Sequence, residues 1–333
     1  MILSFFKRNL PNRMLVIFIL LCALWTPVFI NLYPSTIAPE QDYMPLYSLL
    51  TDIVGTGSIA SIIVSFITVI VILGIIIYFN TKDFFINQRT FLPALFYVLL
   101  NSAIPTNQEL NPVLPAVIFL MIAIIRIMDS YTKQGIANNY FDAGILIGVG
   151  SLFYADLIWF GILLFIGIFL LRTVTLKEIV ISLTGLVTPY LILLSVFFLG
   201  GWDIPGFYET LKANLFSGTV IPYDMLSPAS IVALMYFGII VLISLVDLMS
   251  KIDMKKNRTR NTFYLFFWVL VISVLLFFLM KTASFEIFWI STVPLSFFLG
   301  HYFIYTKRKV LPEILIYGMI VAALTVQLFR FFT

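Results

Sequence analysis

Apolar residues occur in long blocks along the chain, and short polar segments separate these blocks. Blocks of about 20 residues are long enough to cross the hydrocarbon core of a bilayer as helices. The pattern therefore predicts an all-α, polytopic membrane helix bundle with about 11 transmembrane helices. The predicted spans are residues 14–32, 59–79, 91–104, 113–128, two within 141–171, 179–199, 229–249, 262–280, 286–305 and 311–329.

The stretch 141–171 decides the number of spans. A single helix of about 30 residues would overshoot the bilayer and place the costly carboxylate of Asp156 near its centre. Two short helices that turn at residues 154–156 would instead place Asp156 at the far surface, in a turn and helix-cap role. The charge pattern favours this hairpin, because Arg172 and Lys177 then return to the basic side.

Basic residues predict the orientation of the bundle. With 11 spans and a cytoplasmic N-terminus, the inner side holds all of the 20 Lys and Arg residues except Lys212, Lys281 and Arg330. This asymmetry is the one that the positive-inside rule requires. The C-terminus is then non-cytoplasmic, and the cell inner membrane is the predicted location of this multi-pass protein.

Composition narrows the possible partners and cofactors. Hydrophobic residues make up 61% of the chain and charged residues 11%, whereas a soluble domain carries about 25% charged residues. Most of the surface must therefore face membrane lipid, and the net charge of +4 reflects basic loops rather than nucleic-acid binding.

The chain contains one cysteine, Cys22, and one histidine, His301. One cysteine excludes a disulfide within the chain, and one imidazole excludes a three-histidine zinc site or the four-histidine iron site of carotenoid oxygenases. We expect no haem, no zinc and no histidine-ligated iron. Any metal would be a hard, oxygen-liganded ion such as Mg²⁺ or Mn²⁺.

The first external loop is the first candidate site. Residues 33–58 contain Glu40 and Asp42 but no Lys or Arg, and the predicted topology places them on the same face as Glu109 and Asp156. A carboxylate here can take a proton from an attacking hydroxyl, and a second one can tune its pKa or share a hydrated divalent ion. Asp42 is the candidate base with Glu40 as its partner, and Asp42 and Glu109 are candidate metal ligands.

Two cations on the same predicted face are candidates for binding the phosphate of a donor. Lys281 and Arg330 both lie at helix ends, where they could stabilise a departing phosphate. The alternative for both is an anchor that reaches the lipid headgroups. The alternative for the loop carboxylates is simple solvation at the surface.

The order of these features resembles a known family. Residues 42–50, Asp-Tyr-Met-Pro-Leu-Tyr-Ser-Leu-Leu, place an acidic residue, an aromatic residue and a short helix in the first external loop, and Glu109 lies in the loop between the third and fourth helices. The Gly-rich stretch 141–154 precedes a tight turn. Five further residues follow in the order found in the family named below: Arg172, Lys177, Glu178, Gly185 and Pro189. In this layout the chain resembles the polytopic, lipid-dependent glycosyltransferases of the C superfamily, the mannosyl- and arabinosyltransferase group.

The chain also resembles a family of multi-pass inner-membrane proteins of Bacteroidota that has no assigned activity. The glycosyltransferase resemblance covers residues 1–200, and residues 201–333 add further helices to a single transmembrane domain, 1–333. The chain departs from the active transferases in its short first external loop and in the lack of a sizeable soluble domain after the last helix.

The resemblance implies a hexosyltransferase that moves a sugar from a polyprenyl-phosphate donor at the outer face of the inner membrane. Two other functions stay open. One is a non-catalytic scaffold subunit of an envelope complex, which predicts an exposed small-residue face. The small-xxx-small pair Gly144 and Gly148 instead predicts close packing between helices. The other is a transporter or flippase for a lipid-linked solute, in which Pro189 and Pro294 break helices near a midplane site.

Overall fold

The computed structural model describes residues 2–7, 11–30, 43–82, 90–103, 108–132, 137–171, 176–216, 227–280, 287–306 and 310–329. Over these ranges the chain forms helices joined by turns, and none of the described residues lies in a strand. The α-helices are α1 (Ile2–Lys7), α2 (Pro11–Ile30), α3 (Pro45–Val54), α4 (Ile59–Lys82), α5 (Leu92–Asn101), α6 (Val113–Asp129), α7 (Ala137–Ser151), α8 (Ile162–Leu171), α9 (Leu176–Gly200), α10 (Ile204–Phe216), α11 (Pro228–Lys251), α12 (Asn257–Leu279), α13 (Ile287–Tyr305) and α14 (Val310–Phe329). Three 3-10 helices cover Ser130–Thr132, Ala155–Gly161 and Ile252–Met254.

Seven of the described helices are long and apolar enough to cross a membrane: α2, α4, α9, α11, α12, α13 and α14. The predicted all-helical class is therefore confirmed, and these seven helices indicate a membrane protein. Shorter apolar helices, among them α5 and the segment Ala155–Leu171, pack between the long ones. The count of 11 spans and the orientation of the termini stay predictions.

The centre of the bundle is the pair α5 and α13. Every residue of α5 is buried, and so is nearly all of α13, because neither helix presents a polar face that would need water. A Cβ on Gly300 of α13 would lie 2.9 Å from the Pro93 side chain of α5, so the two helices approach closely at that point. The rings of Phe96 and Phe303 meet nearby, with their centroids 4.8 Å apart.

The predicted small-residue contact joins α7 and α9. A Cβ added to Gly144 would lie 2.6 Å from the Ser182 carbonyl oxygen, and one added to Gly148 would lie 2.6 Å from the Leu186 carbonyl oxygen. The two backbones therefore touch without side chains between them, as small residues allow in membrane helices. Close helix packing by this glycine pair is confirmed, and the pair is covered by α9 rather than exposed.

The chain does turn within 141–171, at residues 152–154 rather than at the predicted 154–156, and the two separate membrane spans predicted here stay a prediction. Helix α7 ends at Ser151, residues 152–154 turn, and the chain returns through the 3-10 helix and α8. The surface position predicted for Asp156 was wrong, because its exposed fraction is only 2%. The prediction followed the turn alone, whereas packed segments from elsewhere in the chain cover this turn.

Pro189 and Pro294 do not break their helices, contrary to the role suggested for them in a transporter. Helix α9 continues from Leu176 to Gly200 through Pro189, and α13 continues from Ile287 to Tyr305 through Pro294. The Pro189 ring instead lies beside Gly148, in the contact between α7 and α9. These two helices therefore lack the unwound segments that form midplane sites in transporters.

Candidate functional site

Three chain segments meet at one end of the bundle, which we call the Glu109 end. They are residues 108–112 before α6, residues 44–47 at the start of α3, and the turn 152–156 after α7. The opposite end, where α11 and α13 finish beside Lys251 and Lys255, is called the lysine end. Helix α6 connects the two, because it starts at the Glu109 end and finishes at the lysine end.

The segment 108–112, which carries Glu109, is held in place by hydrogen bonds from Gln108 and Asn111. The Gln108 side-chain amide donates to the Leu24 carbonyl of α2 over 3.0 Å, in a buried hydrogen bond. The Asn111 side-chain oxygen accepts from the backbone N–H groups of Val113 and Leu114 at 3.1 and 3.0 Å. Asn111 thus satisfies two of the orphan N–H groups at the start of α6, as helix-capping residues do. These bonds hold the half-buried Glu109 between two anchored residues.

Helix α3 is bonded to both other segments. Its first turn begins with Pro45, whose fixed φ suits the first helical position and whose missing N–H costs nothing there. The Leu46 N–H donates to the Leu152 carbonyl over 3.1 Å. The Tyr47 hydroxyl donates to the Leu110 carbonyl over 2.9 Å and is buried. The segment that directly follows Asp42 in the chain is therefore held beside the segment that carries Glu109.

The turn that carries Asp156 lies beneath this cover. Met44, Leu152 and Ala155 form a small buried apolar cluster, and side chains of α9 and α10 pack against it. Beside the turn, the Ser151 and Tyr190 hydroxyl oxygens are hydrogen-bonded at 2.7 Å. A carboxylate buried at this depth is held inside a packed and hydrogen-bonded end of the bundle rather than displayed to solvent.

The structure describes one of the predicted site residues, Glu109. Glu40, Asp42, Lys281 and Arg330 lie outside the described residues, so their roles stay predictions. The described residues contain no group of three or more His, Cys, Asp or Glu side chains that could hold a metal ion. No ligand set for the predicted Asp42 and Glu109 metal site is therefore assembled within the described part of the chain.

The C-terminal helix also reaches the Glu109 end. The Gln327 side-chain amide of α14 donates to the Ser102 carbonyl after α5 over 2.8 Å, and this bond is buried. Gln327 lies three positions before Arg330. Near the lysine end, the Asn261 amide at the start of α12 donates to the Leu170 carbonyl at the end of α8 over 3.0 Å. Helix α12 also contacts the 3-10 helix Ala155–Gly161, which precedes α8. The two contacts together show that α12 runs antiparallel to α8.

His301 lies apart from the Glu109 end. Its side chain is buried in α13, with its ring centroid 5.2 Å from that of Phe263 and 4.6 Å from that of Tyr305. Both ring nitrogens lack a hydrogen-bond partner among the described residues. The position makes His301 part of the core near the lysine end and separates it from the candidate carboxylates.

Sequence reasoning missed the residues that hold this end together. Tyr47, Gln108 and Asn111 were not singled out, because each acts through hydrogen bonds to backbone rather than through a motif. One local signal was present: Asn111-Pro112 directly before an apolar run is typical of a helix start. No local signal marks Tyr47, whose partner lies 63 positions away.

A comparison with protein-family models matches residues 46–333 to DUF6427, which is described as a family of unknown function. The match covers most of the chain, so the chain belongs to this family. No curated protein and no solved structure matches the chain. The family match includes Tyr47, Glu109 and Asp156, whereas Glu40 and Asp42 precede it.

Proposed function

We propose that this DUF6427 protein is a membrane-embedded hexosyltransferase. It moves a sugar from a polyprenyl-phosphate donor to an acceptor hydroxyl at the outer face of the inner membrane. In this proposal the source is a bacterium of the Bacteroidota. In this proposal the chain crosses the membrane 11 times, with a cytoplasmic N-terminus and a non-cytoplasmic C-terminus. The Glu109 end then faces the outer aqueous phase.

One observation supports the proposal above the others, the buried hydrogen bond from the Tyr47 hydroxyl to the Leu110 carbonyl. It joins the helix that follows Asp42 to the segment that carries Glu109. This bond holds residues that follow Asp42 in the chain beside the segment that carries Glu109, and a site built on these two carboxylates would need such an approach.

The proposed reaction needs a base and a cation. The acceptor oxygen forms a bond to the anomeric carbon as Asp42 takes the hydroxyl proton, and the bond from that carbon to the phosphate oxygen breaks. The leaving polyprenyl phosphate keeps the electron pair, and Lys281 and Arg330 stabilise its charge. Glu40 or Glu109 tunes the pKa of Asp42. A hydrated Mg²⁺ or Mn²⁺ shared by Asp42 and Glu109 is a variant of the proposal and is required by none of these steps.

The alternative functions receive less support. A transporter would use unwound helices near the midplane, whereas α9 and α13 pass Pro189 and Pro294 as continuous helices. An envelope scaffold would expose a small-residue face, whereas Gly144 and Gly148 are covered by α9.

The test is donor consumption by the purified full-length chain in liposomes. Undecaprenyl-phosphate mannose serves as the donor probe, and release of undecaprenyl phosphate is measured with a mixture of sugar acceptors. We expect Asp42→Asn to abolish release and Glu109→Gln to reduce it at least tenfold. Asp52→Asn is the matched control, because Asp52 is an exposed carboxylate on α3, and it should keep the wild-type rate.

Two results would overturn the proposal. One is an unchanged rate in a folded Asp42→Asn protein, and the other is a reporter fused behind Thr333 that lies in the cytosol. The second result would place the Glu109 end on the wrong side of the membrane for this donor.

A further inference from the structure

A groove at the lysine end lies between the last turns of α11 and the end of α13. Its volume is about 900 Å³. Its polar part is lined by Asp247, Ser250, Lys251, Lys255, Tyr305 and Thr306. None of these residues belongs to the Glu109 end, so the groove is a separate feature of the molecule.

The two lysines of the groove differ in their partners. Lys251 forms an ion pair with Asp247, one turn earlier on α11. The Lys255 ammonium lies over the ring of Tyr305, 3.9 Å from its centroid, and forms no ion pair with any described residue. Partial burial lowers the pKa of Lys255, and the charge of Lys251 lowers it further, against an opposing effect of Asp247. An anion in the groove would relieve this repulsion between the lysines.

The rest of the groove wall is apolar. Leu242 and Val246 are one turn apart on α11 and line the groove, yet 64% and 71% of their respective surfaces are exposed. Leu242 precedes Lys251 by nine positions, which is about 13 Å along a helix that rises 1.5 Å per residue. The groove therefore offers charge at one end and a continuous apolar track over the next turns of the same helix.

Three further basic residues follow the groove residue Thr306 in the sequence. Lys307, Arg308 and Lys309 follow Thr306 directly in the chain, although they lie outside the described residues. The positive-inside rule places this end at the cytoplasmic leaflet, where anionic lipids are attracted to basic segments. Charge complementarity thus favours a negatively charged occupant.

We propose that this groove binds one anionic phospholipid, with its phosphate between Lys251 and Lys255 and an acyl chain along Leu242 and Val246. The inference goes beyond the proposed transferase activity and does not depend on it. A soluble phosphate would use the lysines alone, whereas the apolar track beside them fits the tail of a lipid. Asp247 competes with the phosphate for Lys251 and so limits the affinity.

The test is native mass spectrometry of the full-length protein in detergent. Dioleoyl phosphatidylglycerol and dioleoyl phosphatidylethanolamine are added at equal concentration, and retained lipid is counted. We expect one phosphatidylglycerol molecule to be retained in preference to phosphatidylethanolamine. Lys255→Gln should weaken this retention about fivefold, since one cation near an anionic headgroup contributes about 1 kcal/mol. Asp247→Asn should strengthen it, because Lys251 is then available to the phosphate.

The matched control is Lys256→Gln. Lys256 is the next residue and is exposed, but it does not line the groove, so its loss should change retention less than twofold. Equal retention of the two lipids, or equal effects of Lys255→Gln and Lys256→Gln, would refute the lipid site. Displacement of phosphatidylglycerol by an equal concentration of glycerol 3-phosphate would show that the groove binds a soluble phosphate and would also refute it.

Discussion

The two ends of the bundle satisfy their polar groups in different ways. At the Glu109 end, neutral side chains donate to backbone carbonyls far away in the chain, as Tyr47 does to Leu110 and Gln327 to Ser102. The lysine end also has such a bond, from the Asn261 amide to the Leu170 carbonyl, but it adds contacts between charges, and two of these are long. The Arg126 and Asp142 side chains approach to 4.0 Å, and the Arg258 and Asp129 side chains to 3.9 Å.

This difference predicts different mechanical properties at the two ends. Buried hydrogen bonds to carbonyls leave an unsatisfied group when they break, so they hold segments in place. Partly exposed ion pairs contribute about 0–1 kcal/mol each and rearrange readily. The Glu109 end is therefore suited to fixing side chains for chemistry, and the lysine end to admitting a ligand. Each of the following changes should affect one end and spare the other.

The largest effect is expected from Gly148→Ala. A Cβ at this position would lie 2.6 Å from the Leu186 carbonyl oxygen and 2.9 Å from the Pro189 side chain, so α7 and α9 must separate. Overpacking of this kind costs about 1–3 kcal/mol. The free energy of unfolding in SDS, followed by tryptophan fluorescence, should fall. Phosphatidylglycerol retention at the lysine end should not change.

Gly238→Ala is the control for this substitution. Gly238 also lies in a membrane-length helix, α11, but nothing surrounds its added Cβ within 4 Å. Alanine should there be neutral or stabilising by up to about 1 kcal/mol, since glycine has the lower helix propensity. If both variants lose the same free energy of unfolding, the close contact between α7 and α9 is not the reason that Gly148→Ala is destabilising.

A smaller effect is expected from Tyr47→Phe. The variant leaves the Leu110 carbonyl without this buried donor, at a cost of about 1 kcal/mol. Hydrogen exchange of the amides in residues 108–112 should become faster, because the segment loses its contact with α3. Tyr208→Phe is the control, since Tyr208 is 66% exposed. If hydrogen exchange in residues 108–112 is unchanged in Tyr47→Phe, the bond from Tyr47 to Leu110 does not position Glu109.

The smallest effect concerns pH at the lysine end. Lys255 attracts phosphate only while it is charged, and its pKa is lowered from the usual 10.5 by burial and by Lys251. Retention of phosphatidylglycerol should therefore weaken as the pH rises toward 10.5, earlier than for an ordinary lysine. The other charged or titratable groups that line the groove are Asp247, Lys251, Tyr302 and Tyr305. Wild-type protein and Lys255→Gln should differ in this profile, and identical profiles would contradict the assignment.

Local patterns predicted much of this fold. The helix bundle follows from apolar blocks, because the backbone must bond internally wherever lipid is the solvent. The close approach at Gly144 and Gly148 was also predicted correctly, and the turn within 141–171 was predicted two residues later than it occurs. The burial of Asp156 was not predicted, because side chains of α3, α9 and α10 pack against Met44, Leu152 and Ala155 beside it, and these contacts come from distant parts of the chain.

The sequence by itself determined the all-helical class, the seven membrane-length helices of the described residues and where the charges fall along the chain. These are properties of neighbouring residues, so length, period and composition report them directly. Only the tertiary structure decided that α5 lies at the centre, that Asp156 is buried and that Tyr47 bonds Leu110. Contacts of this kind join residues that are far apart in the chain, and they depend on how complete helices pack rather than on any local pattern.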